Sequence, residues 1–211
     1  MTEHIEKMGL KELRRHAIDL QEENDRLRRN LSEDLLTGAY NRRGFERFLA
    51  NEHARLVREG TPLSVLYMDL DGFKLINDQH GHAVGDLLLR AVCDRISMCI
   101  RSTDALCRVG GDEFTVILHN TRVDRTRNIA ERIAKKIASE PFTLEGATED
   151  ISVSLCIGGV NTNDPGVSTE ELVRASDRLM YEAKATFKAS DMQDVGNAAN
   201  GCVCVELLPA S

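Results

Sequence analysis

The sequence predicts an α+β fold: a ferredoxin-like, palm-type β-α-β-β-α-β core with an antiparallel central hairpin, preceded by an N-terminal coiled-coil helix. Three observations predict it. A heptad seam runs through residues 8–33, an apolar strand stops abruptly on the carboxylates of "DLD", and two further strands flank the stretch "RVGGDEF". The remaining apolar runs alternate between helical and strand periods in the order that such a core needs.

The seam places Leu10, Leu13, Ala17, Leu20, Asn24, Leu27 and Leu31 at spacings of three and four, with Leu at each d position. Asn24 occupies an a position, where a buried amide selects a two-stranded, in-register pair. Glu23 at g and Arg28 at the following e are placed to pair between two parallel chains. The alternative is a lone amphipathic helix packed on its own domain. At Asp34 the seam ends, and "DLLTGAYNRRGF" breaks the pattern with Thr37, Gly38 and Asn41. A helix from about Asn41 to Glu59 buries Phe45, Phe48, Leu49 and Leu56. "PLSVLYMDLD" is a buried strand, and Gly72-Phe73-Lys74 starts a short helix directly after it. "GHAVGDLLLRAVCDRISMCI" is a long helix with Val84, Leu87, Leu88, Ala91 and Cys99 on its buried side.

Strands "LCRV" and "FTVIL" then meet at Gly110 and Gly111, which are expected to supply the positive φ of a tight hairpin turn. Asp112 and Glu113 stand at or just past that turn. A helix spans about Val123 to Ser139, "DISVSLCIGGV" is a strand, and "STEELVRASDRLMYEAKATFK" is the last helix. Ser168 as N-cap and Glu171 at N3 form its capping box. Residues beyond about 189 either add an edge strand at "CVCVELL" or stay outside the sheet. The chain thus divides into a helical stalk (1–33), a globular domain (34–190) and a tail (191–211).

A chain of 211 residues has room for one domain and an appendage, and 42% apolar with 29% charged residues is ordinary globular composition. The net charge of -7 argues against an extended nucleic-acid surface. No window has the apolar length of a membrane span, and the charged N-terminus is unlike a signal peptide. Most of the six cysteines sit in apolar runs without C-x-x-C spacing, as reduced core residues of a cytoplasmic protein do. Cys202 and Cys204 lie in the tail. For them, and for His80 and His82, a metal reading competes with an ordinary structural one, and no further ligands accompany either pair at the spacing of a metal site.

Asp69 and Asp71 are one residue apart and so share a strand face. In a palm-type sheet the first strand and the central hairpin are neighbours, which brings Asp69 toward Asp112. Converging carboxylates repel unless a cation lies between them, and Mg²⁺ suits one or two carboxylates plus substrate phosphates. Such an arrangement fits polymerase-like phosphoryl transfer. The sequence holds neither a P-loop nor a G-x-G-x-x-G turn. Phosphates would instead meet free backbone N–H groups at Gly72-Phe73-Lys74, and Lys184 and Lys188, one turn apart, would add charge unless they form only a solvated face.

Five stretches, "DLLTGAYNRR", "DLDGFKLINDQHGHAVGD", "RSTDALCRVGGDEF", "VSLCIGG" and "DRLMYEAK", together resemble the GGDEF-domain diguanylate cyclases, from about Asp34 to Lys188. These enzymes join two GTP into cyclic di-GMP and release two pyrophosphates. The resemblance implies Mg²⁺ or Mn²⁺ held by Asp69, Asp112 and the Leu70 carbonyl, with Glu113 required for activity. It also implies close substrate approach at Gly110 and Gly111 and a phosphate-contacting turn at Gly72, Phe73 and Lys74, Lys74 counting among the catalytic residues. Asn77 and Asp86 match the guanine-reading pair. An Asp accepts from both donors of guanine's edge, where adenine offers neither. Lys184 and Lys188 match the terminal helix, although Phe187 stands where the family has Gly and Lys188 lacks an arginine's fork.

Arg101, Asp104 and Arg132 match the family's inhibitory product site; an i,i+3 pair at a helix end is the plainer reading. Ala39-Tyr40 replaces the family's usual Leu-Pro, a change expected to touch only local packing. The implied partners are GTP, cyclic di-GMP as product and inhibitor, and a second copy in a homodimer, with no nucleic acid and no membrane insertion. No sensory domain precedes the heptads, so the input would arrive through the helix or from a longer protein. The rival functions are a non-catalytic effector that binds GTP or cyclic di-GMP, and a coiled-coil interaction protein with a passive palm fold.

Overall fold

The computed structural model describes residues 12–20, 32–191 and 201–208. In chain order the elements are α1 (Arg42–Glu59), β1 (Leu63–Leu70), α2 (Phe73–His80), α3 (His82–Ser97), β2 (Ala105–Arg108), β3 (Glu113–His119), α4 (Val123–Ala138), β4 (Leu155–Thr162), α5 (Thr169–Asp191) and β5 (Cys202–Leu207). The strands form one five-stranded sheet ordered β2-β3-β1-β4-β5. β1 runs antiparallel to both β3 and β4, while β5 runs parallel to β4. The first four strands are the expected β-α-β-β-α-β core. The tail resolves as an edge strand, reached through α5 because parallel neighbours need a long crossover.

Local chemistry sets the boundaries. The Asn41 side chain accepts the Gly44 N–H at 3.0 Å to start α1, and Ser168 Oγ accepts the Glu171 N–H at 3.1 Å to start α5. Leu66, Met68 and Leu70 of β1 join a core under α3 and α4, whereas Val65 joins a second core under α1 and α5. A strand covered on both faces reads as a continuous apolar run, as "SVLYM" does. Alternation puts Asp69 on the α1/α5 side with Val65.

Three expectations change. The buried stripe of α3 runs through Val84, Leu88, Leu89, Val92 and Ile96, leaving Leu87 and Ala91 half-buried, because the helix packs on α4 as well as on the sheet. β4 begins at Leu155 rather than Asp150, since Ile151 exchanges both backbone bonds with Phe142 and closes a loop over the core. Tyr40 does more than pack: its N–H donates to Leu106 O at 3.0 Å and its carbonyl accepts from Arg108 N–H at 2.7 Å, covering the edge of β2. A proline at that position has no N–H for the first bond.

α5 crosses β4 at Gly158, where a Cβ would stand 2.1 Å from backbone atoms of Ser176 and Met180. That contact seats α5, and with it Lys184, directly on the sheet. Residues 12–20 are helical, with Leu13, Ala17 and Leu20 exposed on the single chain. The seam positions Leu10, Asn24, Leu27 and Leu31, with Glu23 and Arg28, lie outside the described residues.

Candidate active site

β1 delivers Asp69 to the end of the sheet, where its cross-strand partners are Glu113 on β3 and Cys156 on β4. Residues 109–112 fold back between β2 and β3. The Leu70 N–H donates to Asp112 O at 3.3 Å, and the Val109 N–H donates to Glu113 O at 3.0 Å. The two acidic segments therefore converge as the sequence implies. Burial pushes the Asp112 carboxyl above its usual range, and the charge of Asp69 pushes it further.

Lys184 of α5 reaches into this cluster and donates to Asp69 Oδ1. Burial alone would lower its pKa. The bond to Asp69 and the charges of Asp69, Asp71 and Asp112 outweigh that, holding it above the usual lysine value. Lys188 also falls on α5, and its side chain lies outside what the structure describes.

The glycine pair works differently from the expectation. Neither Gly110 nor Gly111 adopts a positive φ, because the connection across residues 109–112 is long enough to turn without one. Gly110 serves by lacking a side chain: a Cβ there would stand 2.5 Å from Glu113 Oε2. Gly111 presents its carbonyl to Arg108, which donates from Nε at 3.0 Å and from Nη2 at 2.8 Å. The same guanidinium donates from Nη1 to Asp34 Oδ1 at 3.0 Å. Thr37 adds its N–H at 3.0 Å and its hydroxyl at 2.8 Å to that oxygen. Burial would raise Asp34, yet the bonds from Thr37 and Arg108 hold its carboxyl below the usual range.

Sequence reasoning missed Arg108 and Tyr67. Tyr67 shares the strand face of Asp69, and its hydroxyl donates to Glu113 Oε2 at 3.2 Å. Burial first, and then the charge of Glu113, keep that phenol protonated far above its ordinary range. The available signals were modest: an Arg two residues before the glycine pair, and a polar-tipped ring within an apolar strand.

On the neighbouring helices, Gly72 adopts φ 75 at the start of α2, with Phe73 half-buried and Lys74 exposed. The Oδ1 of Asn77 is buried and accepts no hydrogen bond. It fits there because a Cβ on Gly85 would lie 1.9 Å away, so Gly85 is a further position that residue-by-residue reading passed over. An acceptor buried without a donor is unusual, and an incoming N–H would satisfy it. Asp86 follows Gly85 on α3 and is exposed.

Arg101, Asp104 and Arg132 share a second neighbourhood. Asp104 forms its bonds with the backbone, not with an Arg101 side chain: Oδ2 accepts Arg101 N–H at 2.9 Å and Oδ1 accepts His119 N–H at 3.2 Å. Arg132 donates to Cys99 O at 2.5 Å. Arg101 is exposed and borders a cavity of about 600 Å³ that also meets Ser97, Ile100 and Asp104.

Among the described residues no three His, Cys, Asp or Glu side chains gather at one point. A divalent cation at the sheet end would rest on Asp69, Asp112 and the Leu70 carbonyl. This donor set fits a hard cation, since all are oxygens, and Asp112 is partly buried beside the like charge of Asp69.

Comparison with known proteins bears on the family and the fold. The profile described as "Diguanylate cyclase, GGDEF domain" matches residues 31–190. Response regulator PleD of Caulobacter vibrioides is 38% identical over 169 residues, 77% of this chain and 37% of that protein. Diguanylate cyclase DosC of Escherichia coli K12 is 40% identical over 158 residues, 74% of this chain and 34% of that protein. The chain thus spans little more than a third of these curated relatives. Among solved structures, the coiled coil and GGDEF domain of DgcB from Caulobacter crescentus, in complex with c-di-GMP, aligns with a TM-score of 0.78 at 23% identity, covering 92% of this chain and 97% of that one. The active GGEEF domain of a diguanylate cyclase from Vibrio cholerae gives 0.65 at 31% identity, covering 77% and 96%. No helix among the described residues is long and apolar enough to cross a membrane.

Proposed function

Because the chain belongs to the GGDEF-domain diguanylate cyclase family, we propose that it condenses two GTP into cyclic di-GMP with release of two pyrophosphates. The observation that carries this reading is the convergence of Asp69 and Asp112 at the end of β1, with Lys184 bonded to Asp69. Each GTP 3′-hydroxyl attacks the α-phosphorus of the opposing GTP, and the bond to pyrophosphate breaks. Mg²⁺ or Mn²⁺ held by Asp69, Asp112 and the Leu70 carbonyl would supply Lewis acidity toward hydroxyl and phosphate. Glu113, whose carboxylate accepts the Tyr67 hydroxyl, would take the proton that the attacking 3′-hydroxyl gives up. Gly72, Phe73 and Lys74 at the start of α2 hold phosphates, joined by Lys184 and Lys188. Asn77 and Asp86 read guanine, a role supported by the unfilled acceptor of Asn77.

One domain holds one GTP, so the reaction needs two domains face to face, and proximity is what a dimer provides. The exposed Leu13, Ala17 and Leu20 support pairing through the N-terminal helix. Product binding at Arg101, Asp104 and Arg132 would hold domains apart as feedback, and the exposed Arg101 at a cavity rim supports it. GTP as substrate favours a cytoplasmic location. A GTP- or cyclic di-GMP-binding effector is the rival, and the intact carboxylates argue for the enzyme.

The test is to strip the purified protein of nucleotide, incubate it with GTP and Mg²⁺, and resolve products by liquid chromatography beside Asp112→Ala. Cyclic di-GMP from the parent alone is the expected result. Nucleotide binding without product would favour the effector.

A further inference from the structure

β5 lies outside the core that performs the proposed reaction, and it brings a second cysteine against the sheet beside Asp69. The Cys202 thiol donates to the Cys156 sulfur at 3.3 Å. The two residues are direct partners in the parallel β4–β5 ladder. Neighbouring strands lie about 4.8 Å apart, within the roughly 4.4–6.8 Å between Cα atoms that a disulfide spans. Cys156 is in turn the cross-strand partner of Asp69. Cys204, the other tail cysteine, is registered against Gly158 and has no thiol opposite it.

We propose that Cys156 and Cys202 are a redox site, closing to a reversible intrachain disulfide that staples β5 to β4 next to the acidic cluster. Cys156 is fully buried and Cys202 half-buried, so Cys202 meets the oxidant and Cys156 completes the bond. With a low-molecular-weight disulfide as oxidant, the Cys202 thiol gives its proton to solvent and its sulfur attacks, releasing one thiol. The Cys156 thiol then loses its proton and attacks Cys202 in the mixed disulfide, releasing the second. Two protein thiols are oxidised, one external disulfide is reduced to two thiols, and a dithiol reductant reverses the exchange.

The staple has mechanical consequences because β5 links two helices. Arg127 of α4 donates to Val205 O at 2.9 Å, and Arg178 of α5 pairs with Glu206 at 3.6 Å. α5 is also the helix that carries Lys184 to Asp69. Oxidation therefore fastens the strand that braces the helix behind the acidic cluster.

The full chain, incubated with oxidised glutathione, is expected to lose two hydrogens in intact mass and to yield one cross-linked peptide pair joining Cys156 to Cys202. Amides of residues 202–207 should exchange more slowly after oxidation and recover with dithiothreitol. Cys202→Ser should abolish the cross-link and Cys204→Ser should keep it. A stable glutathione adduct on Cys202, a cross-link between chains, or unreacted thiols would each overturn the proposal.

Discussion

Asp34 is held to the β2–β3 hairpin by Arg108 and Asp112 lies in its turn, yet their surroundings push them in opposite directions. Asp34 receives the Arg108 guanidinium and two bonds from Thr37, and its carboxyl is held below the usual range. Asp112 receives burial and the like charge of Asp69, and its carboxyl is pushed above that range. The first is a completed contact that holds the hairpin in place. The second is buried beside a like charge that the cations Lys184 and Arg108 offset only in part, and under the proposed function a substrate with its cation would relieve it. Residue type alone does not tell these two aspartates apart; their surroundings do, one pKa lowered and the other raised.

The largest expected effect breaks the second half of that comparison. Asp112→Asn should lower cyclic di-GMP formation by at least about a thousandfold while leaving the melting temperature at neutral pH equal or higher. The sign follows from linkage. The folded pKa of Asp112 lies above the ordinary 3.8, so the folded state binds more protons between those two values. Its ionisation therefore costs stability as pH rises through that window, and the amide removes the cost. A marked fall in melting temperature at neutral pH would show that Asp112 is structural after all.

Next comes the completed contact. Arg108→Ala removes two bonds to Gly111 and the pair with Asp34, whose side chains are only 15% and 23% exposed. Loss of about 2 kcal/mol is expected from urea unfolding, because breaking the pair strands a poorly hydrated carboxylate. Here the pH sign is opposite. Asp34 has its folded pKa below 3.8, so its contribution is full above that value and fades as pH falls through the folded one. The stability difference between parent and Arg108→Ala should shrink in acid, and a difference constant with pH would refute the account.

The two halves of the comparison were unequally legible in the sequence. Asp69, Asp112 and Glu113 could be read because a strand that ends on carboxylates and a glycine-flanked acidic pair are local patterns. The palm-type order could be read for the same reason, as each element has its own period. Arg108 and Asp34 could not be paired, since 74 positions separate them and a lone arginine before two glycines fits many roles. Tyr67 and Glu113 are 46 apart and meet only through strand register. Gly85 escaped notice because it acts through the side chain it lacks, against Asn77 one helix away. β5 was ambiguous because "CVCVELL" alternates too briefly to declare a strand without the edge of β4 to receive it.

The smallest effect tests the corrected role of Gly110. Its φ is not positive, so alanine meets no backbone strain, and Gly110→Ala should change stability by less than about 0.5 kcal/mol. The new methyl would instead collide with Glu113 Oε2, 2.5 Å from the ideal Cβ position. That oxygen ends a flexible side chain and can swing aside, but doing so breaks its bond with the Tyr67 hydroxyl. Turnover should therefore fall by roughly tenfold, a loss near 1.4 kcal/mol of transition-state stabilisation, with folding intact. Gly111→Ala supplies the contrast, because nothing lies within 4 Å of its Cβ position and neither quantity should move much. If Gly110→Ala lost 1 kcal/mol or more of stability on the scale of a forbidden-φ substitution, the turn rather than Glu113 would be what the glycine protects.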